Sequence, residues 1–153
     1  MGLGPYIYVT YILTKPQEIW DALTDAKISA SYWEHSNVSD WKVGSDWKHQ
    51  RPGMEPDIVG KVLESDPPRR LVITWAAPAD AGNPKKISQV SFEIDDLDGK
   101  VRLKVTHTNL DPHALTDLSG GGWPAVLSNL KTLLETGRTI PNPFSAVTNY
   151  PKG

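Results

Sequence analysis

The sequence predicts an α+β domain in which one long C-terminal helix lies against a curved antiparallel sheet. Three observations lead to this prediction. A β-branched and aromatic segment opens the chain, segments of period-two hydrophobicity fill its middle, and a segment with helical spacing follows them. Helices segregated from a run of antiparallel strands are typical of the α+β class.

The N-terminal segment predicts one strand followed by two short helices. Residues 6–13, YIYVTYIL, are β-branched and aromatic, as strands are. In the following TKPQEIWDALTD, Thr14 and Gln17 have the spacing of a capping box and Pro16 suits a first helical turn. We therefore expect a helix over Pro16 to Thr24 and a second one over Lys27 to Tyr32.

The middle of the chain predicts about six further strands, because its hydrophobic period changes to two. VSDWKVGSDWKH predicts a hairpin with Gly44 in its turn, and IVGKVLESDPPRRLVITWA predicts two strands joined at Pro67-Pro68. ISQVSFEIDDLDGKVRLKVTHTNL predicts a hairpin whose Asp98-Gly99 pair is a strong type I′ signal.

Strand parity predicts which side chains face the helix. On the last strand one face carries Val101, Leu103, Val105 and His107, and the other carries Arg102, Lys104 and Thr106. We interpret His107 as a core histidine with a satisfied hydrogen bond, or alternatively as a polar anchor at a pocket mouth. Glu64 shares its parity with Val62 and is expected to point inward.

The stretch LSGGGWPAVLSNLKTLLETG predicts an amphipathic helix of about four turns. Its apolar stripe contains Trp123, Val126, Leu127, Leu130, Leu133 and Leu134, and its polar face contains Ser128, Asn129, Lys131, Thr132 and Glu135. Gly122 is the predicted N-cap and Gly137 the predicted C-cap. No Gly-Lys-Ser/Thr follows the glycines, and no βαβ unit surrounds them, so a phosphate-binding loop is not expected.

Composition excludes several function classes. The 153 residues contain no cysteine and carry a formal net charge of −2, which argues against thiolate chemistry and a nucleic-acid interface. His35, His49, His107 and His113 lack zinc-site spacing, so we expect no metal. The sequence has no G-x-S-x-G elbow, and we assign no cofactor and no catalytic residue. We find no signal-peptide pattern and no membrane span, and we expect a cytoplasmic protein.

Three segments resemble one known family. YILTKPQEIWDALTD, LESDPPRRLVITW and GGWPAVLSNLKTLLETG are similar to segments of the activator-of-Hsp90-ATPase-homologue-1-like proteins, within the START/Bet v1-like superfamily. The resemblance spans Tyr6 to Ile140. It implies the helix-grip fold, a curved antiparallel sheet of six or seven strands around a long C-terminal helix, with two short helices after the first strand. We accordingly expect a domain over residues 1–140 and an irregular proline-rich tail over 141–153.

The resemblance and the six tryptophans together predict a binding protein for a small apolar or aromatic molecule, such as a lipid, sterol or polyketide-like compound. The ligand is expected between sheet and helix, in a cavity of roughly 300 Å³ or more. The predicted ligand-binding residues are Trp33, Trp47, Trp75, Phe92, His107, Trp123, Leu127 and Leu130. A chaperone-binding or regulatory module and a small cyclase or hydrolase remain alternatives, and the chain is expected to be a monomer or homodimer.

Overall fold

The computed structural model describes residues 4–110 and 122–141 and confirms the predicted α+β class and helix-grip arrangement. The element order is β1 (Tyr6–Ile12), α1 (Pro16–Thr24), α2 (Ala26–Trp33), β2 (Ser36–Val38), β3 (Asp46–Gln50), β4 (Ile58–Asp66), β5 (Arg70–Trp75), β6 (Ser88–Asp96), β7 (Val101–Thr108) and α3 (Trp123–Thr136). Gly120, Gly121 and tail residues 142–153 lie outside the described part of the chain, so the tail stays a prediction.

All seven strands form one curled antiparallel sheet in the order β1-β7-β6-β5-β4-β3-β2. The predicted β6–β7 turn is confirmed, because Asp98 (φ 58°) and Gly99 (φ 101°) both have the positive φ of a type I′ turn. Gly44 (φ 91°) lies in the β2–β3 connection, but β2 ends at Val38, so this connection is longer than predicted. The Pro67-Pro68 pair joins β4 to β5 as expected.

The helix ends confirm most of the sequence signals and correct one. Pro16 begins α1, and Asp25 caps α2 by accepting hydrogen bonds from the backbone of Lys27 and Ile28. The predicted capping box is wrong, because Lys15 is the N-cap residue of α1 and makes no side-chain cap. Thr14 instead donates to the side chain of Glu18.

Glu64 does not point inward, and the β4 backbone explains why. The pairing of β4 with β5 shifts register between Val62 and Glu64, as a β-bulge does. The extra residue reverses the side-chain alternation, so Val62 is buried whereas Glu64 is exposed and pairs with Arg70 at 3.0 Å. A simple two-residue period cannot reveal such a shift.

Helix α3 packs on α2 and on β1. Its buried face contains Trp123, Val126, Leu127 and Leu130, and Gly137 caps it in the left-handed conformation as predicted. Burying each of these apolar side chains contributes about 1.5–3 kcal/mol. Leu133 and Leu134 are only partly buried, whereas Asn129, which we assigned to the polar face, is buried.

The C-terminal half of α3 also covers the β1 edge of the sheet. Lys131 donates to the backbone oxygen of Tyr11 (2.5 Å), and Glu135 accepts from the backbone nitrogen of Leu13 (2.8 Å). The two side chains pair with each other at 2.8 Å. They therefore satisfy backbone groups that an open sheet edge leaves available for pairing with another chain.

Candidate functional site

One end of the space between α3 and the sheet remains open as a cleft of about 190 Å³. We call it the aromatic cleft. It is lined by Trp33, His35, His49, Asp57, Ile58, Trp75, Gly122, Trp123 and Val126. Six of these residues belong to α2, β3, β4, β5 and α3, and His35, Asp57 and Gly122 lie in the adjoining connections, so the cleft lies where the helices and one half of the sheet meet.

Three indole rings form the walls of the aromatic cleft. The ring centroids of Trp33 and Trp123 are 5.5 Å apart, those of Trp75 and Trp123 5.6 Å, and those of Trp33 and Trp75 6.4 Å. Ring separations of about 4.5–7 Å are those of interacting aromatic pairs. The three rings therefore support one another and form a preformed apolar surface.

Hydrogen bonds through His107 link the indole of Trp123 to Ser88 and, through Ser88, to the backbone of Trp75. Ser88 Oγ donates its proton to the backbone oxygen of Trp75 (3.0 Å), so it accepts from His107 Nε2 (2.8 Å). The indole N–H of Trp123 donates to His107 Nδ1 (3.1 Å). This network assigns a neutral imidazole with its proton on Nε2, and burial lowers the pKa of His107 to about 4.

Trp47 is fixed by a hydrogen bond to the neighbouring strand. Its indole N–H donates to the backbone oxygen of Thr74 (2.7 Å), and its ring lies 5.6 Å from that of Trp75. Gly60 stands opposite Trp47 in β4, and a Cβ atom there would overlap both the Thr74 oxygen and the indole nitrogen. Only glycine at position 60 thus allows Trp47 to hold this position behind the cleft wall.

Two stacked imidazoles form the polar side of the aromatic cleft. The rings of His35 and His49 are nearly parallel, with centroids 4.2 Å apart. His35 contacts the backbone oxygen of Trp33 through Nδ1 (3.2 Å) and the Asp57 carboxylate through Nε2 (2.5 Å). Burial, together with the charge of His35, lowers the pKa of His49 to about 3, and Asp57 opposes this shift.

The predicted binding residues divide into three sets. Trp33, Trp75 and Trp123 line the aromatic cleft itself. Trp47, Phe92 and His107 contact those rings from behind. Leu127 and Leu130 belong to the solid core beneath.

The cleft is smaller than the sequence led us to expect. Trp47, Phe92, Leu127 and Leu130 are each no more than 2% exposed and fill most of the space between α3 and the sheet. The open volume is therefore about 190 Å³ rather than the expected roughly 300 Å³.

Sequence reasoning missed His35, His49 and Asp57 as site residues. His35 and His49 are far apart in sequence and lie in different elements, so no local motif joins them. One signal was present, because His49 is two residues after Trp47 and therefore shares its face of β3.

The described residues contain no group of three or more His, Cys, Asp or Glu side chains that could hold a metal ion.

A second depression, of about 280 Å³, is formed by β3, β4 and β5, and its lining includes the predicted binding residue Trp47 together with Gly60 and Thr74. Its lining also includes Val59, Ala76 and Ile87, with Lys48 and an ion pair between Asp46 and Lys61 (2.6 Å) at its rim. The Asp46 and Lys61 side chains are mostly exposed, so their charges are well hydrated. The aromatic cleft, with buried polar groups among fixed rings, is the better candidate site.

No helix within residues 4–110 and 122–141 is long and apolar enough to cross a membrane.

Comparison with known proteins identifies relatives by sequence and by fold. Residues 13–135 match the family described as "Activator of Hsp90 ATPase homolog 1-like protein". No curated protein matches the chain.

Several solved structures share the fold. The chain is similar to CalU16 from Micromonospora echinospora (21% identity, 87% of this chain and 77% of that one, TM-score 0.69). It is also similar to PFC0360w, an Hsp90 activator from Plasmodium falciparum (22%, 85% and 95%, TM-score 0.68), and to the Aha1 dimer from Colwellia psychrerythraea (22%, 88% and 98%, TM-score 0.71). At these identities the likeness concerns the fold alone.

Proposed function

This chain belongs to the family of activator of Hsp90 ATPase homolog 1-like proteins, and from that premise we propose that it binds a small aromatic molecule in the aromatic cleft. The wider fold family commonly binds hydrophobic ligands. The single observation that carries the proposal is the arrangement of Trp33, Trp75 and Trp123 around open space.

The size of the cleft favours a ligand of one or two rings. An apolar cavity of about 150 Å³ is large enough to bind benzene, and the aromatic cleft has about 190 Å³. Sites for drug-sized ligands usually have about 300 Å³ or more. Among the ligand classes predicted from the sequence, a small aromatic compound therefore fits better than a sterol or a long-chain lipid.

The walls of the cleft favour an aromatic ring over an aliphatic one. Trp33 and Trp123 are inclined at 59° to each other, and Trp75 and Trp123 at 48°. A guest ring between such walls can face one indole and turn its edge to another, and both arrangements are favourable for aromatic pairs. Because the walls are already fixed, little conformational entropy is lost on binding.

His49 and His107 favour binding over acid–base catalysis. An efficient general base has a pKa near the working pH. The pKa values of His49 and His107 lie at about 3 and about 4, so both rings are neutral and weakly basic near neutrality. We therefore prefer a binding role to the cyclase or hydrolase alternative.

Titration calorimetry with toluene tests the proposal. Toluene is expected to bind the wild-type protein, and Ile58→Trp, which fills the cleft from its partly open side, is expected to weaken binding at least about tenfold. Leu63→Trp is the matched control, because Leu63 is an exposed residue of the same strand that does not line the cleft. Equal toluene affinity in both variants would refute the assignment of this cleft.

Binding to an Hsp90-type chaperone is a second candidate function, and one surface feature favours it. Ile7, Val9, Tyr11 and Leu13 alternate along β1 and its end, and they are between 43% and 67% exposed. An exposed apolar stripe of this kind is typical of a protein-interaction surface. The family description and the Plasmodium protein's name both refer to Hsp90 activation.

A pairwise binding measurement with purified Hsp90 tests this second candidate. The double variant Val9→Ser/Tyr11→Ser is expected to lose at least about tenfold in affinity if the stripe is the contact surface. Leu63→Ser, an exposed apolar residue elsewhere on the sheet, is the control. Absence of Hsp90 binding by the wild-type protein would exclude this function.

A further inference from the structure

His49 places a neutral ring on the wall of the aromatic cleft. The residue stands opposite Asn37 in the β2–β3 pair and is only 4% exposed. Its ring packs edge-on against Trp33, with centroids 4.7 Å apart, and lies 5.5 Å from Trp75. It is therefore in contact with two of the three indole walls.

The hydrogen bonds of Asn37 determine where the proton of His49 lies. Asn37 donates through Nδ2 to the backbone oxygen of Leu23 (2.9 Å), so its Oδ1 is the atom that faces His49. His49 Nδ1 lies 2.7 Å from that oxygen and must donate to it. A neutral ring with its proton on Nδ1 has a lone pair on Nε2.

The surroundings of His49 keep Nε2 an acceptor. His35 stacks on one face of the ring, Asp57 pairs with His35, and Trp33 and Trp75 supply apolar contacts. Burial among these groups disfavours a second proton, and the low pKa of His49 agrees with this. Within the described residues, Nε2 has no hydrogen-bond partner, and because His49 lines the cleft, this atom is available to a guest there.

We propose that the ligand of the aromatic cleft carries a hydrogen-bond donor, a hydroxyl or a ring N–H, which His49 Nε2 accepts. This inference rests on the proposed function and names the ligand class within it. The rings of Trp33, Trp75 and Trp123 would hold the aromatic body, and His49 would fix its orientation.

The chemistry of the cleft favours a neutral donor over other ligand classes. A hydrocarbon such as toluene fits the cleft but removes water from Nε2 without replacing the hydrogen bond, so it should bind more weakly than a donor of the same shape. A carboxylate or phenolate has no proton to donate to the Nε2 lone pair, and the Asp57 carboxylate of the same cleft already pairs with His35. A neutral aromatic donor avoids both costs.

Phenol and toluene are suitable probes because they differ mainly by a hydroxyl in place of a methyl group. We expect His49→Phe, which keeps an aromatic ring of similar size, to weaken phenol binding about fivefold relative to toluene binding. Toluene affinity that does not fall in the same variant serves as the control for an intact cleft. The affinities are measured by titration calorimetry on the full chain.

A measurement on the wild-type protein covers the case in which His49→Phe does not fold, since that variant leaves Asn37 Oδ1 without its donor. Long-range ¹H–¹⁵N correlation spectra identify the protonated nitrogen of each imidazole. We expect His49 Nε2 to be unprotonated and its ¹⁵N resonance to shift with phenol but not with toluene.

The outcomes separate this inference from the proposed function. A selective loss of phenol binding, or a phenol-specific shift at Nε2, supports the inference. Binding of both probes with neither a selective loss nor a shift overturns the inference and leaves the proposed function standing. If neither probe binds the wild-type protein, both fail.

Discussion

At the scale of single residues, the buried neutral histidines His49 and His107 link the stability of the fold to pH. His107 joins Trp123 to Ser88 and hence to Trp75, and both of its ring nitrogens are used in doing so. A second proton on this ring would remove the acceptor for the Trp123 indole. Protonation of His107 therefore opposes the packing of α3 on the sheet.

We predict that the protein loses stability as the pH falls below about 6.5. The unfolded chain binds protons at His107 and His49 in this range, whereas in the folded state the two pKa values are about 4 and about 3. On acidification, each histidine then lowers the free energy of unfolding by up to about 1.4 kcal/mol per pH unit. Above about pH 6.5 both histidines are neutral in the folded and the unfolded chain, and the stability they contribute is fully present.

Urea unfolding at several pH values between about 5 and 7 measures this slope. His107→Gln keeps one donor and one acceptor but cannot titrate. We therefore expect this variant to lose about half of the pH slope of the unfolding free energy that His49 and His107 produce together. A variant with the wild-type slope would contradict the account of His107.

A second residue-scale prediction concerns Gly60. Gly60→Ala places a methyl group where the Thr74 oxygen and the Trp47 indole nitrogen now meet. We expect the free energy of unfolding to fall by about 3 kcal/mol, from overpacking together with loss of the Trp47 hydrogen bond. Thermal or urea denaturation measures the change.

Gly82→Ala is the matched control for Gly60→Ala. A Cβ at Gly82 has no atom within 4 Å, and its backbone does not have the positive φ that favours glycine. This substitution should change the free energy of unfolding by no more than about 0.5 kcal/mol. Similar effects of the two substitutions would contradict this prediction, because they would mean that the atoms around Gly60 move aside at little cost in free energy.

At the scale of the elements, α3 is held by a polar contact as well as by its apolar stripe. Asn129 donates to the backbone oxygen of Tyr32 at the end of α2 (2.9 Å) and accepts from the backbone nitrogen of Ile140 (2.6 Å). The buried side chain of Asn129 therefore forms hydrogen bonds with a backbone oxygen at the end of α2 and with a backbone nitrogen in the segment that follows α3.

We predict that Asn129→Ala lowers the free energy of unfolding by about 2–4 kcal/mol. The substitution removes both partners of Asn129, and each buried backbone group left without a hydrogen bond costs about 1–3 kcal/mol. Ser128→Ala, at the exposed neighbouring position, should change stability by less than about 0.5 kcal/mol. An equally small effect at Asn129 would show that water replaces its contacts.

Periodicity predicted the elements well because each depends on a local rule. The alternation on β7 and the spacing on α3 identified their buried faces, and the Asp98-Gly99 turn set the β6–β7 register. The predictions of side-chain orientation failed where the regular spacing was interrupted or a tertiary contact outweighed it. A bulge turned Glu64 outward, and at Asn129 two tertiary hydrogen bonds outweighed a polar side chain's preference for water.

At the scale of the whole molecule, the aromatic cleft depends on the meeting of distant segments. Helical spacing placed Trp123 on the apolar stripe of α3, whereas Trp33 and Trp75 were predicted from tryptophan chemistry and the family resemblance, and all three line the cleft. The sequence does not indicate that His35 and His49 stack, because that contact follows from the curl of the sheet and the position of α2. The size of the cleft likewise depends on how far the core side chains fill it.

The most direct test of the account is a titration of ¹⁵N-labelled protein with toluene, followed through the indole N–H signals. We predict that the signals of Trp33, Trp75 and Trp123 shift with a common saturation curve, while those of Trp20 and Trp41, which do not line the cleft, stay in place. Unchanged signals for the three cleft tryptophans up to the solubility of toluene, or shifts confined to Trp20 and Trp41, would contradict the claim that this cleft binds a small aromatic molecule.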